Sequence, residues 1–458
     1  MQDLTTGSLT GHLLKTTSFM LVSMVFQTLY ILVDLFWVGR LGTDAIGAVG
    51  LAGNLSFLVI AITQVLGVGA TTLVSHASGR KDQERAILVF NQSQVLSMVV
   101  ALIFLVVTMA LRHQYALSQA ADDAMRLATE QYLLWFLPAM ALQFAMVGMA
   151  AALRGTGNFK PGMIVQTGTV IINMALAPLL IFGWGPFPEM GVSGAAMATF
   201  LAIVVGVIWI SFYFVDRTAY LRFNAGQWSP QVRVWREMLK IGLPAGAEFA
   251  LMGVYMAVVY AITKPFGAAA QGGFTIGLRI VQSAFLPVVA LGFAVAPVAG
   301  QNFAARKADR VRAAFTAAAS MAAGTMLILA IAIFFTATSL MGIFTTDPAV
   351  IRVGVDYLRI VGATFVLSGV TFVTSSMFQA LGNTLPPLAT SVMRMLLSVV
   401  PVIFLSRVAG FQLTWIWYLG IVAVLLQTVA NLLLLQRELR RKLDAGVATA
   451  RPVASGIG

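Results

Sequence analysis

Cysteine is absent from the 458 residues, so no disulfide framework and no thiolate metal site can form. Histidine occurs three times, as the isolated His12, His76 and His113, which argues against a zinc cluster. Charge is scarce too: Asp, Glu, Lys and Arg supply 10% of the chain, where a soluble domain carries about 25%. No long polar stretch is present that could fold in water by itself. These shortages exclude an ordinary soluble globule. The 59% hydrophobic content excludes disorder, which needs low hydrophobicity. What remains is one apolar run after another, each near or above the ~20 residues that a helix needs to cross the hydrocarbon core.

Twelve such spans are expected, at 13–38, 47–77, 88–111, 131–153, 163–183, 191–215, 239–262, 272–301, 313–336, 356–380, 386–408 and 412–435. The first is too long for a signal-peptide core and lacks a small-residue cleavage site after a short core, so it is expected to remain as a helix. The net charge of +12 does not imply nucleic acid. Lys and Arg sit in short loops, where they set topology and meet anionic headgroups. They gather in the loops after spans 2, 4, 6 and 8 and in the C-terminal tail. The positive-inside rule therefore places both termini in the cytoplasm, and an even number of spans agrees with that.

An internal repeat follows. A shift of 225 residues carries Gly157-Asn158 onto Gly382-Asn383, Pro161 onto Pro386, Tyr132-Leu133 onto Tyr357-Leu358, Gly67 onto Gly292 and Lys15 onto Lys240. Five matches at one offset argue for duplication. The expected fold is all-α and polytopic: twelve transmembrane helices in two six-helix lobes, related by a pseudo-two-fold axis along the membrane normal. The expected divisions are an N-lobe at 1–215, a cytoplasmic linker at 216–238, a C-lobe at 239–436 and a basic tail at 437–458. Folds of this kind bind substrate between the halves and work by alternating access.

Charges inside spans are costly and mark function by default. Asp34 lies deep in span 1, Glu248 in span 7, Arg279 in span 8 and Arg394 in span 11, with Arg359 near the start of span 10. Gln27, Tyr30 and Asp34 follow i, i+3, i+7 spacing and share a helix face. A carboxyl in such a place can load and release a proton; the competing reading pairs Asp34 with Arg40 at the helix end. Asn173 and Ala177-Pro178 mark span 5, where the proline loosens the backbone. Glu248 reads either as a second proton carrier or as a helix N-terminal acid that favours the macrodipole. Arg279 and Arg394 read as helix locks or counter-charges to a carboxylate. The 22 Met and 30 Phe suit an adaptable, promiscuous wall. No P-loop and no nucleophile–base set is present, so the chain reads as no enzyme, and an ion gradient as its energy source.

The run from Leu29 to Gly42 (LYILVDLFWVGRLG) resembles the first-helix signature of the multidrug and toxic compound extrusion (MATE) family. So do Gly67–Ser75, Ala152–Asn158, Pro178–Gly183, Ile241–Gly246 and Gly300-Gln301-Asn302. The resemblance spans both halves. It implies two six-helix lobes around a V-shaped cavity and export of cationic or amphipathic drugs in exchange for protons or sodium. In the bacterial branches the first-helix aspartate couples to the ion, a role that falls on Asp34. The surrounding network would then be Gln27, Tyr30, Tyr132, Asn173 and Thr199, with the Ala195 carbonyl nearby. Substrate would meet Asp34, Gln27 and Tyr30 and, in the second half, Glu248 and Met252.

Three departures from the family pattern matter. Ala177 stands where many relatives have a second aspartate. Phe19 to Met24 holds no proline. Met252 and Ser368 occupy the positions of an acidic pair used by another branch. The expected function is a proton-coupled multidrug antiporter with Asp34 as its protonation site and no cofactor beyond the coupling ion. The alternatives are a sodium-coupled exporter or a flippase for lipid-linked or polar metabolites. A monomer in a bacterial inner membrane, with small-molecule substrates, completes the expectation.

Overall fold

A computed structural model describes residues 1–444 apart from 121, 217, 407 and 409. The helices are α1 (Leu9–Gly39), α2 (Thr43–Gly79), α3 (Gln83–Gln119), α4 (Asp123–Gly155), α5 (Lys160–Phe182), α6 (Gly191–Val215), α7 (Val232–Thr263), α8 (Ala268–Ala304), α9 (Ala308–Phe344), α10 (Pro348–Gly362), α11 (Phe365–Ala380), α12 (Leu385–Leu405) and α13 (Leu413–Leu439). Among the described residues eleven helices are long and apolar enough to span a membrane, and the pair α10 and α11 forms a twelfth span bent by 56°. Apolar side chains such as Leu102, Ile103 and Val106 on α3, and Phe334 and Phe335 on α9, lie exposed. Water would reject such surfaces and lipid accepts them.

The helices outrun the apolar stretches that mark them. The 37 residues of α3 extend about 55 Å at 1.5 Å per residue, while hydrocarbon covers only about 30 Å. The extra turns are polar and stay helical because they are capped. The Asp82 carboxylate accepts from the Arg85 amide, Asp122 from Met125 and Asp347 from Ala349. Two expectations change as a result. The linker expected at 216–238 yields its last seven residues to α7, which starts at Val232. The tail expected from 437 begins as a continuation of α13 and a π-helical turn, Arg440–Asp444; residues 445–458 lie outside the described residues.

Span 10 also differs from the single helix expected at 356–380. Its helix begins at Pro348 and breaks at Ala363-Thr364. There the Ala363 and Thr364 amides bond three residues back, to Ile360 and Val361, and the Thr364 hydroxyl also takes the Val361 carbonyl. A side chain competing for the helical ladder is a recognised cause of a kink.

The chain divides into two compact units: Met1–Asp3 with Lys15–Ala250, and Leu4–Leu14 with Leu251–Gly458. In the first, α4 is central, packed against α2, α3 and α6, with α5 against α6. The segment 222–231 is bound to α3 by two fully buried amides. Asn91 donates to the Arg222 carbonyl and accepts from the Asn224 amide and the Trp228 indole. Gln92 donates to the carbonyls of Gln227 and Ser229 and accepts from the Gln231 amide. In the second unit α8 packs against α9, α10 and α11, and α13 against α10, α11 and α12. Its N-terminal segment is held in the same manner. The Leu4 amide donates to Gln301, Asn302 donates to the Leu4 carbonyl and Lys307 to that of Thr5.

The repeat has a backbone signature. Gly157 and Gly382 both take positive φ, at 79° and 69°. So do two non-glycine residues, Lys81 at 59° and Arg306 at 57°, which are also 225 apart (306 against 81). In each case the following amide bonds back to the helix end: Asp82 to Ala77, and Lys307 to Asn302.

Within the first unit α7 meets α2 backbone to backbone through glycine. A β-carbon at Gly246 would lie 2.7 Å from the Ala61 carbonyl oxygen, one at Gly69 2.7 Å from that of Met238, and one at Gly242 would strike the Val65 carbonyl. Gly242 and Gly246 are four apart, the small-residue spacing that lets membrane helices approach closely. Gly242→Ala is therefore expected to cost about 1–3 kcal/mol through overpacking, lowering the melting temperature of the detergent-solubilised protein. Gly53→Ala, where an added methyl meets nothing within 4 Å, is the control and leaves it unchanged or raised. Equal melting for both variants would show that the seam tolerates a methyl.

Candidate functional site

The polar cluster of the first unit draws side chains from four helices, α1, α4, α5 and α6. Thr199 on α6 is its hub. Its hydroxyl donates to the Ala195 carbonyl at 3.2 Å and accepts from the Asn173 amide of α5 at 2.9 Å. A hydroxyl has one proton to give, and Thr199 spends it on Ala195. The Tyr30 hydroxyl of α1, 3.1 Å away, is therefore the donor in the third bond. Tyr132 on α4 is buried, stacks on Phe136 with ring centroids 5.3 Å apart, and lies within electrostatic reach of Asp34 and Tyr30.

Asp34 stands one turn along α1 from Tyr30 and is buried, at 7% exposure. Its Oδ1 accepts no hydrogen bond, and neither does Oδ1 of Asn173. Both oxygens are enclosed, so each forfeits the hydration it would have in water. The Arg40 alternative fails. The guanidinium of Arg40 lies over the rings of Phe36, at 4.6 Å, and Trp37, at 5.1 Å. It is held by aromatic faces and is no counter-ion to Asp34.

Of the expected network, Tyr30, Asn173, Thr199 and Ala195 are joined by hydrogen bonds, and Asp34 and Tyr132 adjoin them electrostatically. Gln27 is not brought in; it shares the face of Tyr30 but is exposed. α1 is loosely covered, with 11% of its most apolar window buried against 67% for α4, so a shared helix face did not guarantee a shared pocket. Ala177, where a second carboxylate was missed, is buried. An aromatic group that the spacing did not announce packs beside Arg40: Trp37 meets Phe182 at 6.0 Å and Trp184 at 6.1 Å.

The second-half candidates are dispersed. Glu248 is partly buried and lies roughly four turns into α7, because that helix starts at Val232. A macrodipole acts over the first turn only, so the reading of Glu248 as an N-terminal acid falls. Met252 is 44% exposed and Arg279 is exposed. Arg359 lies over Phe334 at 5.3 Å. Arg394 is partly buried, 5.7 Å from the centroid of Tyr255. Among the described residues no group of three or more His, Cys, Asp or Glu could hold a metal.

Comparison with known proteins bears on this geometry. The MatE family model matches residues 20–179 and 244–405, the second segment beginning 224 residues after the first (244 against 20), close to the shift of the repeat. The multidrug export protein MepA of Staphylococcus aureus (strain N315) is 26% identical over 419 residues, covering 91% of each chain. The probable multidrug resistance protein YoeA of Bacillus subtilis (strain 168) is 26% identical over 410 residues, covering 87% of each. Among solved structures, an outward-facing multidrug resistance MATE family transporter of the MOP superfamily superposes with a TM-score of 0.89 at 24% identity, over 96% of this chain and 98% of that one. A MOP superfamily transporter from Pyrococcus furiosus, described by the reverse polarity of its binding pocket, gives 0.88 at 23% identity over the same shares.

The hub role of Thr199 is testable without a substrate. Thr199→Val keeps the shape but leaves Tyr30 and Asn173 with buried donors unpaired, at about 1–3 kcal/mol. Thr199→Ser restores the hydroxyl. Thermal unfolding in detergent is expected to show the valine variant clearly destabilised and the serine variant near the parent. Indistinguishable curves for the valine variant and the parent would remove the hub.

Proposed function

Because this chain belongs to the MatE family, whose model covers both of its halves, we propose that it is a secondary active antiporter exporting amphipathic cations in exchange for protons. As a member it is a polytopic membrane transporter and not an enzyme. The breadth of cargo is inferred from relatives named as multidrug export and resistance proteins. The observation that carries proton coupling is Asp34: an enclosed carboxyl oxygen that accepts no hydrogen bond, on a side chain that forms no ion pair among the described residues, beside a pre-arranged set of hydroxyls and an amide.

The donor inventory supports a proton over sodium. A hard metal cation gathers several oxygen ligands. Here the Thr199 hydroxyl already accepts two hydrogen bonds and the Ala195 carbonyl already accepts one. The position that would double the carboxylates holds Ala177. A proton needs one carboxyl oxygen, and on Asp34 it turns an unpaired acceptor into a donor. In the proposed cycle, protonation from outside removes the negative charge that attracts a cation and releases the cargo. Deprotonation towards the cytoplasm restores it. The chain would act as a monomer in a bacterial inner membrane with both termini inside, its basic loops facing anionic headgroups.

In proteoliposomes, an imposed proton gradient alone is expected to drive ethidium transport, and a sodium gradient alone is not. Asp34→Asn, which keeps size and removes titration, is expected to abolish ethidium-driven proton movement. Persistence of that movement in the asparagine variant would refute the assignment. Transport driven by sodium alone would favour the sodium-coupled alternative.

A further inference from the structure

The second unit repeats the scaffold of the Asp34 cluster with the charge reversed. At the shift of 225, Tyr30 corresponds to Tyr255, Tyr132 to Tyr357 and Asn173 to Ser398, whereas Asp34 corresponds to Val259 and Thr169 to Arg394. The two tyrosines are kept, the carboxylate is lost and a guanidinium is gained. Tyr255 hydrogen-bonds Ser398, as Tyr30 bonds the cluster of the first unit. Tyr357 is within electrostatic reach of Tyr255.

Arg394 lies near the middle of the 21-residue α12, at the depth where a guanidinium is most costly. Its place on the helix tells which way it turns. Thr390, Arg394 and Ser398 follow i, i+4, i+8 spacing on one stripe. Pro387, Thr390, Ser391 and Ser398 around that stripe are buried, while Val392, Leu396 and Ile403 on the opposite side are exposed apolar residues. Arg394 is thus on the protein side of α12. Among the described residues no carboxylate pairs with it. Its guanidinium carbon lies 5.7 Å from the centroid of the Tyr255 ring, within cation–π range.

We propose that Arg394, with the hydroxyls of Ser398 and Tyr255, forms an anion subsite in the second unit that takes the carboxylate of an amphipathic aromatic acid. A planar guanidinium matches a carboxylate with two parallel hydrogen bonds, the hydrogen-bonded Tyr255–Ser398 pair keeps one hydroxyl proton to give it, and the tyrosine rings supply an apolar wall. The proposal concerns a cargo class opposite in charge to the cations assigned to Asp34, and it stands on different residues. The chain would then accept zwitterions and organic acids as well as cations.

The probe is tritiated 1-naphthoate, measured by scintillation proximity on the purified full-length protein in detergent. Saturable binding is expected in the parent, weakened about tenfold or more in Arg394→Gln, less in Arg394→Lys, and by a smaller factor in Ser398→Ala. Lys264→Gln, which removes an exposed cation of the same unit, is expected to bind naphthoate like the parent, which separates this subsite from a general loss of positive charge. Thermal unfolding of each variant distinguishes lost binding from lost folding. If Arg394→Gln does not fold, Ser398→Ala and Arg394→Lys decide. Absence of saturable binding in the parent, or equal affinity in every folded variant of Arg394 and Ser398, overturns the subsite.

Discussion

Hydrocarbon supplies no hydrogen bonds, so every polar group that enters it must find a partner within the chain. The backbone answers by becoming helix, which accounts for the thirteen helices among the described residues. Side chains face a harder version of the same demand. Their polar atoms are gathered into a few clusters, each built round a group that can serve several partners at once. Thr199 serves three, and Asn91 and Gln92 each bind several groups of the 222–231 segment. Against that background an enclosed carboxylate oxygen with no partner is conspicuous, and Asp34 has one. The usual way to keep such a charge is to pair it with a cation. The nearest basic residue in sequence, Arg40, is instead engaged with two aromatic faces.

Duplication supplies two copies of one frame, and the side chains they carry differ. The frame is preserved in places where side-chain identity is not: Lys81 and Arg306 share a left-handed backbone that neither residue type favours, at φ of 59° and 57°. Both end a helix in the same way. The chemistry placed on the frame has diverged. The first copy keeps a carboxyl with hydroxyl and amide neighbours. The second keeps the tyrosines and carries a guanidinium. Tyrosine suits both, since its ring packs in an apolar wall while its hydroxyl can donate to either kind of partner.

Much of this was legible in the sequence, for identifiable reasons. Spans are readable because about 20 apolar residues have few other uses, and the repeat because glycine and proline mark turns that tolerate no substitute. Asp34 is readable because charge within a span is rare. What escaped depends on tertiary context. Helix ends extend past the apolar windows because caps such as Asp82 and Asp122 hold polar turns in helix. The break at Ala363-Thr364 involves no proline and rests on one threonine hydroxyl. Gln27 shares a face with Tyr30 yet is exposed, since periodicity reports which residues look in one direction and not whether anything lies there.

The loose covering of α1 bears on how Asp34 could work. α4, α5 and α6 pack closely on one another, and Tyr132, Asn173 and Thr199 ride on that framework. Asp34 and Tyr30 ride on a helix with little of its apolar window buried. The bond between Tyr30 and Thr199 is the hydrogen bond within the cluster that ties the loose helix to the firm ones. Under the proposed coupling, a change of charge at Asp34 alters the attraction between α1 and this framework. A few kcal/mol is enough to shift a two-state equilibrium substantially, and a single enclosed charge commands energies of that order. A tightly packed helix would resist with its whole buried surface, whereas α1 has little to lose by moving. Under that proposal, the placement of Asp34 on a sparsely packed helix gives a protonation event mechanical consequence, without the proline hinge that the stretch from Phe19 to Met24 lacks.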